Sequence, residues 1–269
     1  MQSLAQAARA VLETSDADAK AGAARAMAAA WRKGQLAWVF DVPAPDRPAR
    51  PDAPVLLAPN HMPKRGRGGS ARARIALLHA LAHIELNAVD LACDMIVRFA
   101  QRAPRAFADD WVRVADEEGL HFSLLQQRLR DWGASYGDLP AHDGLWEAAM
   151  DTREDFIARL VVVPQVLEAR GLDVTPAMIA RFTAQADPES AAILERIYKD
   201  EIGHVRIGNF WFRWACQSHH LSPEQAFKEA VLHYFRGELK PPFNDLARSQ
   251  AGLEPHYYHP LAKAHPPQP

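Results

Sequence analysis

Two short segments of this chain place a glutamate three residues before a histidine: Glu118 with His121 in Asp-Glu-Glu-Gly-Leu-His (116–121), and Glu201 with His204 in Asp-Glu-Ile-Gly-His (200–204). Positions i and i+3 share one face of a helix, so each pair can direct a carboxylate and an imidazole at one metal ion. A further glutamate stands 33 residues before each pair, Glu85 before Glu118 and Glu168 before Glu201. Equal offsets are what two similar helical hairpins would produce.

A glutamate and a Glu-x-x-His pair, given twice, is the ligand pattern of helical bundles that hold two iron or manganese ions. The neighbours support a buried setting. Glu85 shares its helical face with Leu78, Leu81, Ala82, Ala88, Val89 and Ala92. Glu118 shares its face with Trp111, Val114, Phe122, Leu125 and Leu129, and Glu201 with Leu194, Ile197, Tyr198, Val205 and Gly208. Glu168 has a more mixed face of Val161, Pro164, Gln165 and Leu172. Carboxylates on apolar faces are unfavourable unless a cation or a partner answers them.

The elements that would carry these residues read as helices throughout. Residues 1–34 are alanine-rich and divide near Thr14–Asp18, where cap-forming residues cluster. Residues 41–69 contain prolines at 43, 45, 48, 51, 54, 59 and 63, so this stretch is extended and wraps or links. Ser70 caps a long helix reaching about Ala100, and a second runs from Pro104 to about Trp132. After a turn-rich connection, a third is expected over Gly144–Ala169, stopping at Gly171, with a kink or loosened turn at Pro164. Thr175-Pro176 starts a short helix, Asp187-Pro188 a long one, and Ser222-Pro223 another ending near Gly237. The last thirty or so residues are proline-rich and read as an irregular tail. No strand-period segment of useful length occurs, so the chain is all-α.

Composition narrows the function classes. The 269 residues, 48% hydrophobic, suffice for a sizeable core, and a net charge of −2 provides no general attraction to nucleic acid or membrane. Cys93 and Cys216 lack metal-type spacing and sit in apolar helical contexts, as buried thiols in a reducing compartment do. The N-terminus lacks the pattern of a secretory leader, and no segment of membrane-spanning length is expected; the expected location is the cytoplasm. We expect one domain with extensions: an arm and wrapping segment over 1–69, a bundle with flanking helices over 70–237, and the tail over 238–269.

The segments Leu-His-Ala-Leu-Ala-His-Ile-Glu-Leu (78–86), Asp-Glu-Glu-Gly-Leu-His-Phe (116–122), Glu-Ala-Arg-Gly-Leu-Asp (168–173), Asp-Glu-Ile-Gly-His-Val (200–205) and Pro-Pro-Phe-Asn (241–244) resemble the ferritin-like superfamily, and more narrowly its bacterial branch called domain of unknown function family 455. The resemblance implies a ferritin-like four-helix bundle with a helical arm, an extra C-terminal helix and a tail. It implies six metal ligands, Glu85, Glu118, His121, Glu168, Glu201 and His204, with Glu118 and Glu201 bridging and Glu85 and Glu168 terminal. Glu117 and Asp200, each just before a ligand glutamate, are either solvated charges or acceptors for a metal-bound histidine. Tyr198, one turn before Glu201, is a core tyrosine or a donor of a hydrogen bond or an electron. His79 and His83 lie on a different face from Glu85 and are expected to pack or hydrogen-bond.

The expected cofactor is a pair of iron ions, with manganese or a mixed pair as alternatives. Such a site would make the protein an oxidoreductase activating O2 or peroxide, with an organic small-molecule substrate and an electron donor as partners. The competing readings are a metal-binding or oxidant-removing protein without an organic substrate, and an RNA-modifying hydroxylase that uses the basic residues Lys64, Arg65, Arg67, Arg72 and Arg74. No aromatic residue interrupts that basic run, which argues against RNA stacking. A membrane partner is not expected, and a homo-oligomer remains compatible with the sequence.

Overall fold

The computed structural model of the chain describes residues 1–63 and 69–262. Among these the protein is all-α; its extended pairing is limited to the isolated bridges Ser3–Ala37 and Leu56–Ala141. The chain divides into two compact units, Met1–Trp146 and Glu147–Pro269.

The first unit is built on α3 (Ala71–Phe99) and α4 (Arg105–Asp131), which pack along each other as a hairpin. Ser70 caps α3, accepting from the Ala73 amide. The expected arm is α1 (Leu4–Leu12), packed on α3, and α2 (Ala17–Arg32), packed on α4. Gly119 permits that approach: a Cβ there would lie 2.8 Å from the Ala21 carbonyl oxygen. The proline-rich stretch is bound to α3 by side chains, with Arg98 donating to the Pro45 carbonyl and Arg50 to Asn87.

One expectation about α3 is corrected. Ala71–Arg102 is long and apolar enough to cross a membrane, although 72% of its apolar window is buried within the protein. That burial is the pattern of a core helix. Its polar residues face inward: His79, His83, Glu85, Asn87, Asp90 and Asp94 are all buried.

The second unit departs from expectation between 144 and 185. The expected third helix is broken: α5 (Gly144–Asp151) ends, and Asp155 caps a new start at α6 (Phe156–Leu160). Buried Arg159 bridges the break, donating to Thr152 Oγ1 and the Ala149 carbonyl. Val161–Glu168 then winds as a π-helix containing Pro164, the loosened turn expected from that proline. The helix does not stop at Gly171; α7 (Ala169–Ala184) runs through both Gly171 and Pro176. A glycine inside a helix costs only about 1 kcal/mol. An interior proline costs about 3 kcal/mol, partly because a carbonyl loses its partner. The carbonyl that Pro176 leaves without a helical partner is answered by a side-chain amide, Asn244 Nδ2 donating to Leu172 O at 3.1 Å, and within the π-turn Gln165 Nε2 donates to Leu160 O at 3.0 Å.

Next come α8 (Pro188–Ser218), capped by Asp187 and packed on α7, and α9 (Pro223–Tyr234), capped by Ser222. Gly208 of α8 admits Pro164; a Cβ at Gly208 would fall 2.3 Å from the proline ring. The described tail is irregular over 238–244, as expected, but not beyond. It forms α10 (Asp245–Gln250) and α11 (Pro255–Tyr258), with Leu253, Tyr257 and Tyr258 buried. Apolar burial of these side chains outweighs the effect of the prolines, one of which simply starts α11.

Candidate metal centre

In the first unit, α3 brings Glu85 and α4 brings Glu118 and His121 to one buried point. His121 Nδ1 lies 3.2 Å from Glu85 Oε2 and 3.3 Å from Glu118 Oε2. One ligand atom from each of the three lies within 4.8 Å of the others, a group that could hold a metal ion. Exposure is 4% for Glu85 and 0% for Glu118 and His121, and the expected apolar neighbours are buried. Burial, and then the adjacent Glu118 carboxylate, raise the Glu85 pKa well above the usual carboxylate value, with His121 opposing. Two carboxylates in a dry site repel each other and favour a proton or a cation. Their oxygens with an imidazole form a donor set that suits iron or manganese.

In the second unit, Glu201 and His204 lie on α8 with His204 Nδ1 3.6 Å from Glu201 Oε1. His204 is buried, and Glu201 and Glu168 are half-buried. Glu168 is the last residue of the π-helix, so the face it presents is set by that irregular turn. The face that looked mixed in the sequence is buried at Val161, Pro164, Gln165 and Leu172.

The flanking candidates take other partners. Asp200 pairs with Arg196 at 2.5 Å on the flank of α8. Glu117 is half-buried beside Glu118. The Tyr198 hydroxyl accepts from Asn244 Nδ2 at 2.9 Å. Of the basic residues, Arg72 is exposed and Arg74 stacks over Trp132 at 5.2 Å, whereas Lys64, Arg65 and Arg67 lie outside the described residues.

His79 and His83 do hydrogen-bond, as expected. His83 Nε2 donates to the His142 carbonyl at 2.9 Å, which leaves Nδ1 to accept from Tyr136 Oη at 2.8 Å. Burial lowers the His83 pKa to about 4. His79 Nε2 accepts from the Gly137 amide. Cys93 and Cys216 are buried and free, and burial raises both thiol pKa values, Cys216 to about 11.

One buried cluster has no counterpart in the sequence reading. Lys20, fully buried on α2, donates to Asp90 Oδ1 at 2.5 Å and to the Ala49 carbonyl at 2.9 Å, while Arg50 contacts Asp90 Oδ2 at 3.0 Å. The available signal was Asp90 itself, an acidic residue within the apolar run of α3.

The chain is thus an all-α protein with a buried Glu/His cluster at the core of a long helical hairpin. The chain belongs to the family described as a protein of unknown function (DUF455), whose model matches residues 13–259. It is 42% identical over 222 residues to an uncharacterized protein of Haemophilus influenzae, covering 80% of this chain and 76% of the relative. No solved structure matches the chain.

Proposed function

We propose that Glu85, Glu118, His121, Glu168, Glu201 and His204 hold two iron or manganese ions in a ferritin-like arrangement, and that the protein is an oxidoreductase. The observation that carries this reading is the buried meeting of Glu85, Glu118 and His121. The repeat of the same residue types and spacing at Glu168, Glu201 and His204 extends it to a second ion. When bound, a pair of redox-active ions would supply electrons and an open coordination position for O2 or peroxide. The protein's own residues supply charge and dryness. Four glutamates balance two divalent ions, and the surrounding Leu, Val, Trp and Phe side chains limit water around Glu118.

A second reading is consumption of the oxidant without an organic substrate, for which the buried Glu85, Glu118 and His121 cluster would suffice. Loading the full chain with ferrous iron under anaerobic conditions and then adding O2 or peroxide tests both readings. Oxidant consumption abolished by Glu118→Ala and by His204→Ala supports a redox centre. Consumption equal to that of free iron contradicts it.

A further inference from the structure

The second set of candidate ligands comes from two helices of unusual make-up. The one carrying Glu168 is interrupted by Pro164 four residues before the glutamate and by Pro176 eight residues after it. The carbonyl left without a helical partner by Pro176 is that of Leu172, one turn beyond Glu168 on the same face. Asn244 Nδ2 donates to this carbonyl at 3.1 Å and also to the hydroxyl of Tyr198 at 2.9 Å. Tyr198 lies one turn before Glu201 on α8. A single amide group thus touches both helices, each within one turn of a candidate ligand.

Asn244 is itself held firmly. Its backbone N–H donates to Asp173 Oδ1 at 2.9 Å, and its own Oδ1 accepts from the Ala247 amide, capping α10. Arg248 then binds Asp173 through Nε at 2.8 Å and through a terminal nitrogen at 2.7 Å, with both side chains buried. Arg170 donates to the Lys240 carbonyl just before the Pro-Pro-Phe-Asn segment.

We propose that Asn244 is a positioning residue for the second half of the metal centre, its side-chain amide setting the register between the Glu168 helix and the Glu201–His204 helix. This rests on the two-metal reading above. Groups hydrogen-bonded directly to metal ligands change affinity by about 10–100-fold when removed; Asn244 acts one turn further out, through Leu172 and Tyr198, so the lower end of that range is expected. The C-terminal segment is thereby part of the site's architecture.

Asn244→Asp separates this role from capping, because it keeps the acceptor for Ala247 and loses the donor to Leu172. Tyr258→Phe is the comparison: it removes the hydrogen bond to Asp245 in the same tail without touching the two helices. Binding of Mn(II) alone to the full chain is followed by the loss of the free-ion electron paramagnetic resonance signal. Amide exchange is recorded in parallel on metal-free protein. We expect Asn244→Asp to weaken Mn(II) binding about tenfold, with protection falling together around Leu172 and Tyr198, and Tyr258→Phe to do neither. Mn(II) affinity within about twofold of wild type, or loss of protection confined to the tail, would overturn the proposal. Failure of the wild-type chain to bind Mn(II) or ferrous iron would refute the two-metal reading. The exchange data would still decide whether Asn244 joins the two helices.

Discussion

Glu118 is placed where its charge is least favourable in the metal-free protein: fully buried, beside Glu85, and on a face of Trp, Val, Phe and Leu. Glu118→Gln should therefore leave the metal-free protein equally or more stable, by up to about 1–2 kcal/mol, while weakening metal binding at least tenfold. Urea denaturation and a metal titration on the same sample check both parts. A purely structural ion pair would show the reverse, a loss of stability on substitution. His83 makes a pH prediction. Its folded pKa of about 4 lies below the ordinary value of 6.5, so the unfolded chain binds the proton more readily. Its contribution is intact above pH 6.5 and is lost as pH falls toward 4, by about 3 kcal/mol at most. Thermal midpoints should fall across that window, and His83→Gln should flatten the decline. The ligand types were legible in the sequence because a Glu-x-x-His pair on an apolar face is a local pattern. The Lys20–Asp90–Arg50 cluster was not, because its members are 70 and 40 residues apart and only folding brings them together.

At the scale of elements, the long helices followed from caps and periodicity, with Ser70 and Asp187 as starts and Pro104 just outside α4. The stretch from 152 to 185 was harder to read, since its helix persists through Gly171 and Pro176 and the carbonyl that Pro176 leaves is answered from far along the chain. Asn244, which donates to it, comes from the tail, outside any local sequence window. Two glycines of α8 provide a direct test. Gly208→Ala should destabilise the protein by about 1–3 kcal/mol, because the added methyl group meets the Pro164 ring and Pro164 lies in a buried π-turn. Gly203→Ala has nothing within 4 Å of the new methyl and should stabilise the helix by up to about 1 kcal/mol. Equal effects from both in chemical denaturation would show that Pro164 does not hold α8 in the way described.

At the scale of the whole molecule, each compact unit contains one version of the same arrangement: a helix with a glutamate and a second helix with a Glu-x-x-His pair. In the first unit the arm and the proline-rich stretch are fastened to α3 by Lys20, whose ammonium donates to Asp90 and to the carbonyls of Ala49 and Leu12. Lys20→Ala removes one partner of a buried pair and should lower stability by about 3 kcal/mol, measured by guanidinium denaturation; a change below about 0.5 kcal/mol would deny the arm that anchoring role. In the second unit the tail is fastened to α7 through Asp173 and Arg248. Whether the two sets of ligands act as one two-metal centre, as proposed, is decided by counting metal per chain in freshly purified protein and in single variants of either unit, Glu118→Ala and Glu201→Ala. About two iron or manganese ions per chain are expected, with both largely lost in each variant. No bound metal after anaerobic ferrous loading, or one ion lost independently with each variant, would contradict the proposal.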